Sequence, residues 1–193
     1  MKWIMTKISL DIKSTNLTDE QFFKLCRANE TWKLEKTAKG ELIVMSPVGG
    51  VSGYREADLI GALWSWNRQT NRGIVFSSST IFRLPNGAAR SPDAAWLELS
   101  RWNSLTQEQQ DRFPPICPDF VIELRSRTDD LESIQEKMQE YLESGLRLGW
   151  LVNPQQQQVE IYRQNQDVEI VTLPGVLAGE AVLPRFELEL PLF

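Results

Sequence analysis

The stretch CPDFVIELRSRTDD, residues 117–130, places charged side chains inside a segment that otherwise reads as a buried β-strand. Side chains alternate across a strand, so the charged residues of this run fall on one face: Asp119, Glu123 and Arg125. The opposite face is wholly apolar and is expected to pack on helices. Charged groups are seldom buried without partners. The segment is therefore either the outward face of an ordinary strand or one wall of a site.

The sequence predicts helices both before and after this strand. A helix is predicted over residues 130–144, with Gly145 as its C-terminal stop. An amphipathic pattern predicts another helix over residues 53–69, and a capping box at 18–21 begins a shorter one that ends near Ala28. Residues 100–118 are predicted to form a long polar connection with one helical turn at 106–110.

Short apolar runs bounded by turn residues supply the strand candidates. In chain order they are TWKLEKTAKGELIVMS (a hairpin), GIVFSSSTIFRLPNG, SPDAAWLEL, RLGWLVNP, QQVEIYR and DVEIVTL. The apolar tail LPGVLAGEAVLPRFELELPLF is expected to wrap the edge of the core. Together with the helices, these strands predict a single α/β domain over residues 1–193, built on a central mixed sheet.

Length and composition exclude several function classes. The 193 residues contain no histidine, so histidine-based catalysis and histidine-ligated zinc are not available, and any metal must be held by oxygens, as Mg²⁺, Mn²⁺ or Ca²⁺ is. Two distant cysteines suggest neither a disulfide framework nor a metal site. The net charge of −5 argues mildly against indiscriminate binding to phosphate backbones. No apolar run approaches a membrane span and the N-terminus does not resemble a secretory signal, so a cytoplasmic protein is expected.

The partner of Glu123 must come from another strand. Asp119 lies four residues away, about 13 Å along a strand, whereas two oxygens that share one Mg²⁺ are at most about 4 Å apart. Asp93 begins the strand DAAWLEL and is separated from Glu123 by enough chain for a return strand alongside. An acid at the start of one strand and an acid midway along its neighbour can meet at one cation. The other interpretation of Asp93 is a turn-forming residue in Ser-Pro-Asp.

Several short blocks in order along the chain resemble the PD-(D/E)XK nuclease superfamily. The blocks are SPDAAW, PDFVIELRS, KMQEYLESG, GWLVNP and VEIYR, preceded by GELIVMSP and followed by LPRFELELPLF. More narrowly, they resemble the bacterial Uma-type family of restriction-endonuclease-like proteins. The resemblance covers roughly residues 20–193. It implies a restriction-endonuclease-like core: a central mixed β-sheet flanked by α-helices.

The resemblance also implies roles for individual residues. Asp93 and Glu123 would bind Mg²⁺ (or Mn²⁺), which would polarise a phosphodiester and help to generate a hydroxide nucleophile. A lysine normally follows two residues after the second acid, but this sequence has Arg125 there. Arginine can grip a phosphate but stays protonated and cannot act as a base. Some relatives supply the lysine from the next helix, and Lys137 is the candidate here.

Helical spacing bears on two of these roles, those of Lys137 and Glu56. Lys137 lies at the edge of the apolar stripe on its helix, from which it can either reach a cleft or pair with solvent as an ordinary border lysine. Its pKa can shift on desolvation, so it can position a water or help to deprotonate it. Glu56 lies on the helix face directed toward the sheet. Superfamily members often place an additional ligand or base there, although a favourable first-turn charge is the alternative.

Two hypotheses of different classes follow. The first is a magnesium-dependent endonuclease acting on DNA, with Asp93, Glu123, Lys137 and Glu56 as catalytic residues and Arg125 on the substrate phosphate. The second is a degenerate nuclease fold that binds nucleic acid or a protein without cleaving it, which the replaced lysine position and the acidic net charge favour. The choice between DNA and RNA stays open. A homodimer is a further expectation, since cleavage of a duplex needs two sites.

Overall fold

The structure is a computed structural model, and it describes residues 7–191. Besides a short 3-10 helix at Lys13–Thr15, this part of the chain contains five α-helices: α1 (Asp19–Ala28), α2 (Gly50–Thr70), α3 (Leu99–Asn103), α4 (Gln107–Asp111) and α5 (Leu131–Glu143). The first seven strands are β1 (Ile8–Asp11), β2 (Lys33–Lys36), β3 (Glu41–Met45), β4 (Gly73–Ser77), β5 (Phe82–Arg83), β6 (Ala89–Arg90) and β7 (Ala94–Glu98). The remaining strands are β8 (Phe120–Leu124), β9 (Leu148–Asn153), β10 (Gln158–Arg163), β11 (Glu169–Thr172), β12 (Gly175–Ala178) and β13 (Glu187–Leu190).

The central sheet has six strands in the order β11-β10-β9-β8-β7-β4. Its one parallel pair among the described strands is β8 with β9, joined through α5, and the other pairs are antiparallel. A parallel pair requires a crossover connection, which α5 provides. The quoted stretch supplies β8, which lies between β7 and β9. The sequence prediction of a mixed sheet flanked by helices is confirmed.

A second, antiparallel sheet has five strands in the order β1-β3-β2-β6-β5. Its hairpin β2–β3 turns at residues 37–40, where Gly40 adopts a φ of +79° that a side chain would disfavour. One face of this sheet packs on α1 through a small core that contains Phe22, Leu34 and Leu42. The opposite face of β2 carries Lys33 and Glu35. Strands β12 and β13 pair with each other as a separate hairpin.

Strand β8 separates two hydrophobic cores, as the alternation of its side chains requires. Phe120 and Ile122 belong to the core shared with α2, whereas Val121 belongs to the core shared with α5. Glu123 follows the parity of Val121, so its side chain lies on the α5 side of the sheet. The charge inside this strand therefore points into the molecule, and Glu123 is buried.

Most of the elements predicted from the sequence are present, with boundaries shifted by a few residues. The capping box of α1 forms as expected between Thr18 and Gln21. The sequence did not predict strands β1 and β6, helix α3 or the pairing of the apolar tail into the hairpin β12–β13. That tail does cover the core, because Leu177, Leu183 and Phe186 are buried in it. Residues 1–6, at the N-terminus that does not resemble a secretory signal, lie outside the described residues.

In the part of the chain that the structure describes, no helix combines the length and the apolar character needed to cross a bilayer.

Gly73 in β4 offers a test of the packing. A Cβ atom at this position would stand 2.2 Å from the carbonyl oxygen of Leu97 and 2.4 Å from the ring of Trp96, both in the neighbouring strand β7. We expect Gly73→Ala to lower the free energy of unfolding by about 1–3 kcal/mol or more, because the backbone oxygen cannot move aside alone. Urea denaturation measures this change.

Gly61 is the matched control, since nothing lies within 4 Å of a Cβ at its position on the exposed side of α2. Gly61→Ala should raise the free energy of unfolding by up to about 1 kcal/mol. Equal effects of the two substitutions would contradict the packing described for β4 and β7.

Candidate active site

The strand register brings the two predicted acids together. Strands β7 and β8 are antiparallel with Ala94 opposite Ile122, and one step further along this register Asp93 stands opposite Glu123. The Asp93 carboxylate is fixed there by the backbone N–H of Leu124, which donates to its Oδ2 at 2.8 Å. The negative charge of Asp93 also contributes to a raised pKa of Glu123, after the larger effect of burial. The two carboxylates thus lie in one electrostatic environment at the junction of the two strands.

Lys137 reaches this site from α5. Its Nζ lies 2.8 Å from Oε1 of Glu123 and 2.9 Å from Oε1 of Glu35, and the side chain is 10% exposed. The alternative of an ordinary solvent-paired border lysine does not describe this arrangement. The stem runs over the sheet and the ammonium sits between two buried carboxylates from two different sheets.

Glu35 connects Lys137 to further charged residues, and these contacts form one network of ion pairs. The sequence did not predict a role for Glu35. Besides Lys137, its Oε1 accepts the backbone N–H of Ser91 at 3.0 Å, and its Oε2 accepts Nη1 of Arg90 at 3.1 Å. Arg90 is held in turn by Glu140 of α5, with Nε 2.5 Å from Oε2. Glu35 itself is 1% exposed. Strand β2 is thereby tied to both α5 and the segment that leads to Asp93.

The charges in the network shift the pKa values of its members. Burial by itself lowers the pKa of Lys137, but the carboxylates of Glu123 and Glu35 outweigh it, so the pKa is raised and the side chain stays an ammonium. Burial tends to raise the pKa of Glu35, yet Lys137 and Arg90 outweigh that effect and hold the pKa well below its ordinary value. For Glu123 the balance is reversed: burial raises its pKa, and Lys137 only partly opposes this.

Two further side chains complete the surroundings of the acids. Lys33 of β2 places its Nζ 3.5 Å from Oδ1 of Asp93. The hydroxyl of Tyr141 donates to Oε1 of Glu123 at 3.2 Å, and burial raises the pKa of Tyr141 well above its ordinary value, so it remains a donor. Both contacts to Glu123, from Lys137 and from Tyr141, fall on Oε1. Its Oε2 takes part in neither contact and would be the oxygen available to a metal ion.

Glu56 lies near the pair but is not directly joined to it. Its carboxylate accepts a short hydrogen bond from the hydroxyl of Ser78. Burial raises the pKa of Glu56, and the charge of Asp93 adds to the increase. Glu56 is on α2, on the other side of the sheet from α5, and approaches from the end of the sheet where β4 finishes. The structure therefore places it within electrostatic range of Asp93.

Arg125 is directed elsewhere. Its Nε donates to the backbone carbonyl of Asp129 at 3.3 Å and its Nη1 to Oδ1 of Asn153 at 3.3 Å. These contacts belong to the loop that follows β8 and to the end of β9. Within residues 7–191, Arg125 forms no ion pair with Asp93 or Glu123.

The residues present fit a hard divalent cation. The donors are carboxylate oxygens. Besides burial, the charge of Asp93 raises the pKa values of Glu56 and Glu123, and a cation at this place would relieve that repulsion. No group of three acidic or cysteine side chains stands ready to hold a metal in the described range of the chain. Mg²⁺ does not require one, because it commonly binds through one or two carboxylates and takes water and phosphate oxygens for the rest.

Comparison with known proteins decides the family. The family model Uma2, described as "Putative restriction endonuclease", matches residues 19–191. The chain belongs to the Uma2 family. Among solved structures, it is similar to a putative nuclease belonging to DUF820 from Anabaena variabilis ATCC 29413, with a TM-score of 0.69 and 19% sequence identity over 81% of this chain and 86% of that one. That likeness concerns the fold. No curated protein matches the chain.

The sequence did not predict two charged residues of this candidate site: Lys33 and Glu35. They stand two residues apart in WKLEK, and Leu34 between them is buried in the core with α1. This alternation of charged and apolar positions is usually the pattern of a strand with one face in water. Lys33 and Glu35 are two residues apart and so lie on the same face of the strand, which is the signal that could have identified them. Only the position of the second sheet in the structure shows that this face is covered.

Glu35→Gln tests the network through the pH dependence of stability. Because the pKa of Glu35 is lowered in the folded protein, its stabilising effect is present above its ordinary pKa of 4.5 and is lost as the pH falls below it. At neutral pH we expect the substitution to lower the free energy of unfolding by about 3–5 kcal/mol, since Lys137 and Arg90 lose a buried partner. Denaturant titrations at several pH values should show this difference shrinking in acid.

The control is Glu136→Gln, which removes an exposed carboxylate of α5 that pairs with Lys39 at 3.6 Å. Its effect should stay within about 1 kcal/mol at every pH. A loss of stability in Glu35→Gln that is equally small, or that does not change with pH, would contradict the role given to Glu35.

Proposed function

We propose that this chain is a metal-dependent endonuclease that hydrolyses phosphodiester bonds in DNA. The observation that carries the proposal is the placement of Asp93 and Glu123 on adjacent strands, with the Lys137 ammonium 2.8 Å from Glu123. Two carboxylates can hold one divalent ion that activates a phosphodiester and a water, and a nearby ammonium can stabilise the negative charge of the transition state. Membership of the Uma2 family, described as putative restriction endonucleases, supports the same reaction class.

Asp93 and Glu123 would hold the metal, which we propose to be Mg²⁺ or Mn²⁺. When bound, such an ion polarises the phosphodiester and lowers the pKa of a water molecule. Asp93 is suited to this position because the Leu124 N–H fixes its carboxylate. Glu123 is suited because Lys137 and Tyr141 hold its Oε1 from one side. Glu56 assists from α2, where it can accept a hydrogen bond from a water near Asp93.

Lys137 acts in this proposal as a fixed positive charge. Its raised pKa keeps it protonated, so it orients the attacking water and stabilises the negative charge of the transition state instead of removing a proton. Arginine in the usual lysine position is consistent with a lysine supplied from the helix. We assign Arg125 a weaker role as a contact to a phosphate at the rim, since its contacts lie in the loop after β8.

The substrate is taken to be duplex DNA, and cleavage of both strands then favours a homodimer with two sites. We place the protein in the cytoplasm, with nucleic acid and not a membrane as its partner. A second candidate function is binding of nucleic acid or protein without cleavage, which Arg125 in the lysine position and the net charge of −5 favour.

Glu123→Gln separates the two candidates. The substitution keeps the size of the side chain but removes the charge that holds a divalent ion, so cleavage of plasmid DNA in Mg²⁺ or Mn²⁺ should fall by at least about a hundredfold. Glu136→Gln serves as the control and should cleave as the wild type does. If the wild-type protein cleaves no DNA or RNA with either metal, the binding function is favoured instead.

A matched pair of substitutions, Lys137→Met and Arg125→Met, tests which cation serves the reaction. Both remove one positive charge and keep an unbranched side chain. We expect Lys137→Met to reduce turnover strongly with a modest loss of DNA affinity, whereas Arg125→Met should mainly weaken binding and its salt dependence. Single-turnover cleavage and binding titrations in Ca²⁺ distinguish the two effects. Near-normal cleavage by the Lys137 variant, with complete loss in the Arg125 variant, would assign the lysine's role to Arg125.

A further inference from the structure

Lys33 stands at the open side of the acid pair. Its Nζ lies 3.5 Å from Oδ1 of Asp93, and the two side chains are 29% and 21% exposed. By contrast, the side chains of Lys137 and Glu123 are 10% and 7% exposed. The site therefore contains two ammonium groups in different situations, one buried beneath the carboxylates and one between the carboxylates and solvent.

The charge of Lys33 acts on the whole acid group. Besides its contact with Asp93, it contributes to lowering the pKa values of three other carboxyl groups, although burial is the largest influence on each: Glu35, Glu56 and Glu123. Its place in β2 explains this reach, because Lys33 and Glu35 share the face of the strand that looks toward β8 and α5.

We propose that Lys33 is a second active-site ammonium, which neutralises Asp93 in the metal-free protein and contacts the substrate phosphate once a metal has taken that place. This inference rests on the proposed function. It goes beyond the roles given to Asp93, Glu123 and Lys137, since it adds a residue from the second sheet and a change of partner during the reaction.

The two lysines differ in their freedom to make such a change. Lys137 is held by two buried carboxylates at 2.8 and 2.9 Å, so moving it would leave both without a partner. Among the described residues, the ammonium of Lys33 forms one ion pair, at 3.5 Å, and its flexible four-carbon stem is partly exposed. A divalent ion bound to Asp93 would repel the nearby ammonium. On the solvent side, the phosphate of a bound substrate would offer the ammonium a negative group in place of Asp93.

Metal binding without nucleic acid tests the first half of this proposal. The probe is Mn²⁺ alone, titrated into the 193-residue chain and followed by calorimetry or electron paramagnetic resonance. We expect Lys33→Met to bind Mn²⁺ about threefold to tenfold more tightly than the wild type, because the competing ammonium is gone. The difference should shrink as the salt concentration rises.

Lys24→Met is the matched control. Lys24 lies on α1, is 74% exposed and pairs with Glu20, so its removal changes the net charge equally without touching the site. Its Mn²⁺ affinity should equal that of the wild type. Thermal unfolding of both variants shows whether either substitution disturbs the fold, and Lys33→Arg, which keeps the charge, should bind Mn²⁺ as the wild type does.

Binding of a mixed-sequence DNA duplex in Ca²⁺ tests the second half. Lys33→Met should weaken this binding and flatten its salt dependence while its affinity for Mn²⁺ increases, a combination that a merely structural ion pair would not produce. If wild-type protein binds Mn²⁺ and cleaves DNA but Lys33→Met changes neither Mn²⁺ nor duplex affinity, this inference fails and the proposed function stands. Wild-type protein that neither binds Mn²⁺ nor cleaves would overturn both.

Discussion

The ion pairs of Lys137 with Glu35 and Glu123 hold the two sheets and helix α5 together. Three charged side chains are buried together there, and each comes from a different element: β2, α5 and β8. Burying one of them alone would cost several kcal/mol, so the elements can only come together with their charges matched. Arg90, in the segment before β7, joins this group through ion pairs with Glu35 and Glu140. The two sheets are thus joined by electrostatics at the point where Asp93 and Glu123 meet.

The part of this arrangement that follows from local rules could be predicted from the sequence. Alternation along β8 put Glu123 on the opposite side from Phe120 and Ile122, and the two cores confirm it. The rise per residue in a strand separated Asp119 from Glu123. In the structure Asp119 is buried in its own ion-pair group with Arg101 and Arg147, at the beginning of β8.

The part that depends on contacts between distant segments could not be predicted. Nothing near Glu35 in the sequence distinguishes it from a solvent-facing residue of a hairpin, because the residues that cover it lie 55 and 102 positions away. The helical spacing placed Lys137 at the edge of an apolar stripe, but whether an edge position is exposed or buried depends on what packs against it. The same holds for Arg125, whose partners Asp129 and Asn153 are set by the loop after β8 and by the parallel strand β9.

The position of Lys33 and Glu35 on alternate residues of one short strand limits how this protein can tolerate insertions. A shift of β2 by a single residue would exchange the two faces, so that Leu34 and Lys36 would enter the charged region while Lys33 and Glu35 moved toward the core with α1. One extra residue inside the strand would therefore break the ion pairs that join the two sheets. Extra residues in the turn at 37–40 would leave it intact. Length variation in this hairpin should accordingly be confined to its turn.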